Sequence, residues 1–153
     1  MTSRMVLRAV HVVGGLLAFS TILLFSSATL AVEWRGDLQL IVAVKHWIAW
    51  CLLVLVPALA ATGISGVAMT GARPNGLAGD KLARMKIIAP NGLLILVPAA
   101  LYLNWKASQG QFDTNFAVVQ AVELMAGVVN LTLLGLNIRD GLRMRGRLRR
   151  ARA

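Results

Sequence analysis

Cysteine, histidine and acidic residues are what this chain has least of. One cysteine, two histidines and six aspartates and glutamates stand among 153 residues, and only 14% of the chain is charged. A lone Cys51 excludes a disulfide framework and a thiolate metal site; it reads as a small buried apolar side chain. There is no glycine-rich phosphate loop, no metal-type cluster and no nucleophile–base pair, so soluble-enzyme chemistry has no footing and no catalytic residue is nominated. The shortage of charge also argues against a soluble domain, in which about a quarter of residues are charged.

What fills the chain instead is apolar: 58% hydrophobic residues and a mean hydropathy of +0.71. These residues gather in four runs, placing helices over 6–32, 40–70, 84–106 and 114–139. Each run is near or above the ~20 residues that cross a ~30 Å hydrocarbon core. The connections VEWRGD and NWKASQGQFD are short, while TGARPNGLAGDKLARMK is longer, glycine-rich and basic. Short connections make consecutive helices antiparallel neighbours. The expected fold is all-α: one integral membrane domain over 1–153, an up-down-up-down four-helix bundle with a tail at 140–153. Asp80 is the expected N-cap of the third span. Arg4, Arg8 and SSATLA, ending at Ala31, are signal-peptide features. The apolar stretch outruns a signal peptide, so a retained helix is expected, with cleavage after Ala31 the alternative.

The net charge of +10 raises nucleic acid as a partner, and its distribution answers otherwise. Arg4 and Arg8 precede span one. Arg73, Lys81, Arg84 and Lys86 lie between spans two and three. Arg139, Arg143, Arg145, Arg147, Arg149, Arg150 and Arg152 follow span four. Only Arg35, Lys45 and Lys106 belong to the other side. Thirteen against three puts both termini in the cytoplasm by the positive-inside bias. The arginine-rich tail is expected to rest on anionic lipid headgroups, and no aromatic interleaving supports nucleic-acid binding.

Two segments look alike. KHWIAWCLLVLVPAL from Lys45 and KIIAPNGLLILVPAA from Lys86 share a lysine, a leucine pair and a VPA at matched offsets. Chance recurrence of common membrane residues is favoured over an inverted repeat. Pro57 and Pro98 are expected to kink their helices near midplane. The sequence PNG occurs as a loop turn at 74–76 and again at 90–92, where it should loosen span three.

In span four, Glu123, Asn130 and Asn137 are spaced by seven, with Gln120 and Gly127 on the same stripe. Polar groups facing lipid stay unpaired at several kcal/mol each, so the stripe should face the other helices. At ~1.5 Å per residue, Glu123 lies about 5 Å outward of midplane, Gln120 about 9 Å and His46 about 13 Å. Lys45 or His46 is the candidate partner for Glu123, directly or through Gln120 or water, with Ser20 and Thr21 as further donors. Such a cluster is either a register-fixing polar network or a proton- or electron-coupled site. Trp34, Trp47, Trp50, Trp105 and Tyr102 all fall in the outer half, pointing to an outer site, a partner, or chance. An inner group comprises His11, Asn91 and Asn137, with Gly14 and Ala18 as a small-residue pair allowing close helix approach.

LRAVH at 7–11 and the stretch from KHWIAW to the Thr-Gly at 62–63 resemble helices of bacterial membrane-bound b-type cytochromes. The resemblance covers two short stretches. It implies His11 and His46 as axial haem ligands, Arg8 and Lys45 near haem propionates, and electron transfer from quinol. The two histidines are expected roughly 25 Å apart in depth, too far to share one haem. What that leaves is one histidine with a second ligand such as Met125, or with none. Three functions follow: a small redox protein binding b-type haem or quinol, an accessory or scaffold subunit of a larger membrane complex, or a proton- or solute-coupled transporter.

Overall fold

The computed structural model describes residues 3–70 and 76–150, the side chains of 70 and 147–150 excepted. The expected turn at 74–75, together with Arg73 and Arg152, lies outside the described residues, as do the side chains of Arg147, Arg149 and Arg150. Five α-helices make four rods: α1 (Ser3–Arg35), α2 (Leu38–Thr70), α3 (Leu77–Pro90) continued through a π-helical segment, Asn91–Leu96, into α4 (Val97–Ser108), and α5 (Thr114–Arg150). All four rods are long and apolar enough to span a membrane. Consecutive rods pack side by side, and α1 also packs on α5, so the ring closes as a four-helix bundle with α2 and α5 at opposite corners.

The rods outrun the sequence-based spans. The third begins at Leu77 rather than 84, and α5 carries the expected tail onward as helix to Arg150. The ends are set by local chemistry. Asp37 Oδ1 accepts the backbone N–H groups of Gln39 and Leu40 at 3.0 and 3.2 Å, capping α2. Asp113 Oδ1 does the same for α5 through the N–H of Phe116 at 3.0 Å. Asp80, the expected cap of span three, is not one: it lies in the first turn of α3, and Gly76 occupies the cap position with no side-chain bond. Gly36 and Gly110 follow α1 and α4 with φ of 64° and 67°, the left-handed backbone that ends a helix most readily at glycine.

The two proline-bearing segments behave differently. α2 runs through Pro57 as one α-helix. Between Pro90 and Val97 the third rod widens into the π-helical segment, opening at the Asn91 of the second PNG. A proline lacks the N–H that the ladder needs, and a π turn absorbs that loss. The core is mostly aliphatic. Ala18, Ile22, Ile48, Leu52, Leu55, Ile88, Ala100 and Leu134 form its centre, and Val32, Ile41, Leu103, Ala107 and Phe116 a second cluster toward the outer connections.

Candidate functional site

On α5 the buried residues are Phe116, Gln120, Ala126, Gly127, Asn130, Leu134, Asn137 and Asp140, with Glu123 part-buried among them. The polar stripe therefore faces the bundle. On α2 the inward face carries Ile41, Lys45, Ile48, Leu52 and Leu55. That phase decides between the two candidate partners. Lys45 has no exposed surface, whereas His46, about 100° further round the helix, points outward.

Lys45 Nζ donates to Glu123 Oε2 at 2.6 Å, bridging α2 and α5 across the bundle. Gln120 Nε2 donates to the same oxygen at 3.1 Å. Both are charge-assisted bonds, the stronger kind, and together they offset the removal of a lysine from water. Gln120 Oε1 is buried with no hydrogen-bond partner among the described residues. A cavity of about 40 Å³ adjoins the pair, lined by Ser26, Thr29 and Gly127 among apolar side chains, with Glu123 its one charged lining residue. That is room for at least one water, which needs ~10–15 Å³ on this measure. The hydroxyls beside Glu123 are thus those of Ser26 and Thr29. Ser20, one of those expected there, lies on the exposed face of α1, out of phase with Gly14, Ala18, Ile22 and Thr29.

Further inward lie three separate polar nodes. Asn91 Nδ2 donates to Asn130 Oδ1 and to the Ala126 carbonyl, both at 2.8 Å, joining the π-helical segment to α5. Asn130 Nδ2 reaches the Ile88 carbonyl at 3.4 Å. His11 Nδ1 donates to the Thr62 carbonyl at 2.9 Å, between α1 and α2. Asn137 Oδ1 accepts from Arg84 Nη1 at 3.1 Å, and the same nitrogen donates to Asp140 Oδ2 at 2.7 Å. The inner group expected from His11, Asn91 and Asn137 is therefore divided among different neighbours.

Asp140 continues the stripe three residues past Asn137 yet reads, in the sequence, as part of a basic tail. It is buried, and Arg84 and Arg139 bond its two oxygens, with Arg143 Nη1 at 3.9 Å. A stripe count carried beyond residue 139 finds it. At the α4–α5 connection, buried Lys106 pairs with Asp113 Oδ2 at 2.6 Å and Gln111 Oε1 at 3.0 Å. The lysine holds the Asp113 carboxyl below the usual aspartate range, and the Phe116 N–H adds to the effect.

The haem ligands suggested by resemblance fare less well. His11 is level with Thr62, sixteen residues along α2 from His46, or about 24 Å at ~1.5 Å per residue. One haem cannot lie between them. Met125 is 64% exposed, turned away from the bundle. His46 Nε2 accepts the indole N–H of Trp50 at 3.0 Å on the outward face of α2. These residues do not fit a haem gripped inside the bundle by two axial side chains.

The fold and the site together define a class: an all-α, multi-pass integral membrane protein with a charged pair in its interior. Comparison with known protein families, curated proteins and solved structures finds no match.

Proposed function

We propose that this chain is a small inner-membrane protein of a bacterium, both termini cytoplasmic, whose Lys45–Glu123–Gln120 cluster exchanges protons as part of proton-coupled transport. The observation that carries this reading is the ion pair across the bundle beside a cavity able to admit water. An ionisable group at membrane depth is a functional candidate by default. Moving one proton from Lys45 Nζ to Glu123 Oε2 breaks an N–H bond and forms an O–H bond. The ion pair becomes a neutral amine and acid without net charge moving into lipid.

The test is proton flux in liposomes reconstituted with the full chain, driven by an imposed pH gradient and read with an entrapped pH dye. Flux lost in Glu123→Gln, with the protein folded by circular dichroism, supports the reading. Flux unchanged in that variant contradicts it and leaves the pair as a register lock.

An accessory subunit of a larger membrane complex is the second reading, favoured by the outward-facing Trp34, Trp47, Trp50 and Trp105. Its mark is a partner protein that co-purifies with the wild-type chain and is lost in Trp47→Ala. Electron transfer through haem or quinone has the sequence resemblance as its support. A Soret band in protein from haem-replete cells, lost in His11→Ala or His46→Ala, is its test.

A further inference from the structure

Asp140 is surrounded by more positive charge than it neutralises. Arg84 and Lys81 approach from α3, Arg139 and Arg143 from α5 itself, so four cations share one carboxylate. Lys81 Nζ sits 3.3 Å from where a Cβ on Gly141 would stand, so the absent side chain lets the ammonium lie against α5. Both Asp140 oxygens are occupied by arginine N–H groups. Among the described residues Arg84 bonds through Nη1 alone and Arg139 through Nε alone. Their remaining guanidinium N–H groups have no acceptor among the described residues, and each arginine carries five donors in a planar fork. Asp140 is 1% exposed, while the Arg139 and Arg143 side chains are 52% and 58% exposed. A buried carboxylate therefore holds arginine heads that still present donors outward.

The cluster lies seventeen residues along α5 from Glu123, about 25 Å at ~1.5 Å per residue, where the apolar stretch of the helix has given way to arginines. That is headgroup depth for a helix crossing a ~30 Å core. We infer that the seam of α3 and α5 at Lys81, Arg84, Arg139 and Arg143 binds the phosphate of an anionic phospholipid headgroup, with Asp140 as the fixed anchor that spaces the arginines. An arginine fork matches phosphate oxygens in pairs, and basic sites between membrane helices suit such headgroups. This is a localised site, distinct from a diffuse attraction of the tail for a charged surface.

The experiment uses the full chain in phosphatidylcholine vesicles containing a small fraction of spin-labelled phosphatidylglycerol or spin-labelled phosphatidylcholine. It reads the motionally restricted fraction of each. A preference for the glycerol headgroup is expected, and Arg139→Gln with Arg143→Gln should reduce it roughly 25-fold, since each basic residue near the surface contributes about a fivefold factor. Arg4→Gln with Arg145→Gln removes the same charge elsewhere and should change it little. Equal loss in the two double variants, or no preference in the wild type, overturns the site. A third arm adds inorganic phosphate at constant ionic strength. Displacement of the lipid label by millimolar phosphate would assign the seam to a free anion and overturn the lipid assignment; persistence of the label supports it. Arg139 also bonds buried Asp140 Oδ1, so Arg143→Gln alone, which leaves both hydrogen bonds to that carboxylate in place, separates binding from folding and should reduce the preference about fivefold.

Discussion

At Lys45 an ammonium has exchanged water for one carboxylate oxygen, and Gln120 shares that oxygen. Desolvating such a pair costs several kcal/mol per ion, and removing one member leaves the other without compensation. Glu123→Gln is expected to lower unfolding free energy by about 3–5 kcal/mol, measured by denaturant titration in detergent. The double replacement Lys45→Met with Glu123→Leu should recover most of that loss, because neither buried charge remains. A double variant as unstable as the single one would show that shape rather than charge sets the effect. Asn130 is bonded by neutral groups alone, and Asn130→Ala should cost only about 1 kcal/mol in the same assay.

At the scale of helices, α1 and α2 meet at a glycine. A Cβ on Gly14 would stand 2.5 Å from Thr62 Oγ1 and 3.1 Å from the Ala58 carbonyl. Gly14→Ala should therefore destabilise the bundle by about 1–3 kcal/mol through overpacking, with a smaller loss in a Thr62→Ala background, again by detergent unfolding. The outer end of α5 depends on pH. Asp113 is held below the ordinary aspartate range, so its contribution is present above the unfolded value of about 3.9 and is lost as pH falls through the lower folded value. Exchange of the Phe116 amide, relative to its intrinsic rate, should rise across that acidic window in the wild type. In Asp113→Asn the cap survives and the Lys106 pair does not, so this pH dependence should be weaker.

Helix number and order were legible in the sequence because four apolar runs with short connections permit few arrangements. The inward stripe was legible because steps of three and four keep Gln120, Glu123, Asn130 and Asn137 on one face. The rotation of α2 was not: Lys45 and His46 are adjacent, and neighbouring hydrophobic residues on every side give little amphipathic contrast to phase that helix. Met125 failed for the same reason, since an apolar side chain on a membrane helix suits either face. Asp140 and Arg84 escaped because charges near a span end read as topology before they read as a pair. Asp37 and Asp113, each at most three residues before the first apolar residue of a run, carried a capping signal.

At the scale of the whole molecule, the bundle is a closed ring of four rods, and among the described residues one charged bridge joins opposite corners. Most of the described basic residues gather at the end where residues 3, 70, 76 and 150 lie, giving an orientation testable without knowing the activity. In a Cys51→Ala background, Gln109→Cys should react with an impermeant maleimide added outside intact spheroplasts, and Arg145→Cys only after permeabilisation. The opposite pattern would invert the bundle and place Trp34, Trp47, Trp50 and Trp105 at the cytoplasmic end.

Infrared spectroscopy of Glu123 in the reconstituted full-length protein bears most directly on proton exchange at the bridge. While an imposed pH gradient drives flux, a carboxylate band should give way to a protonated carbonyl band in the wild type, and Glu123→Gln should abolish that change. A wild-type difference spectrum in which no carboxyl assigned to Glu123 changes protonation while protons cross the membrane would contradict the account.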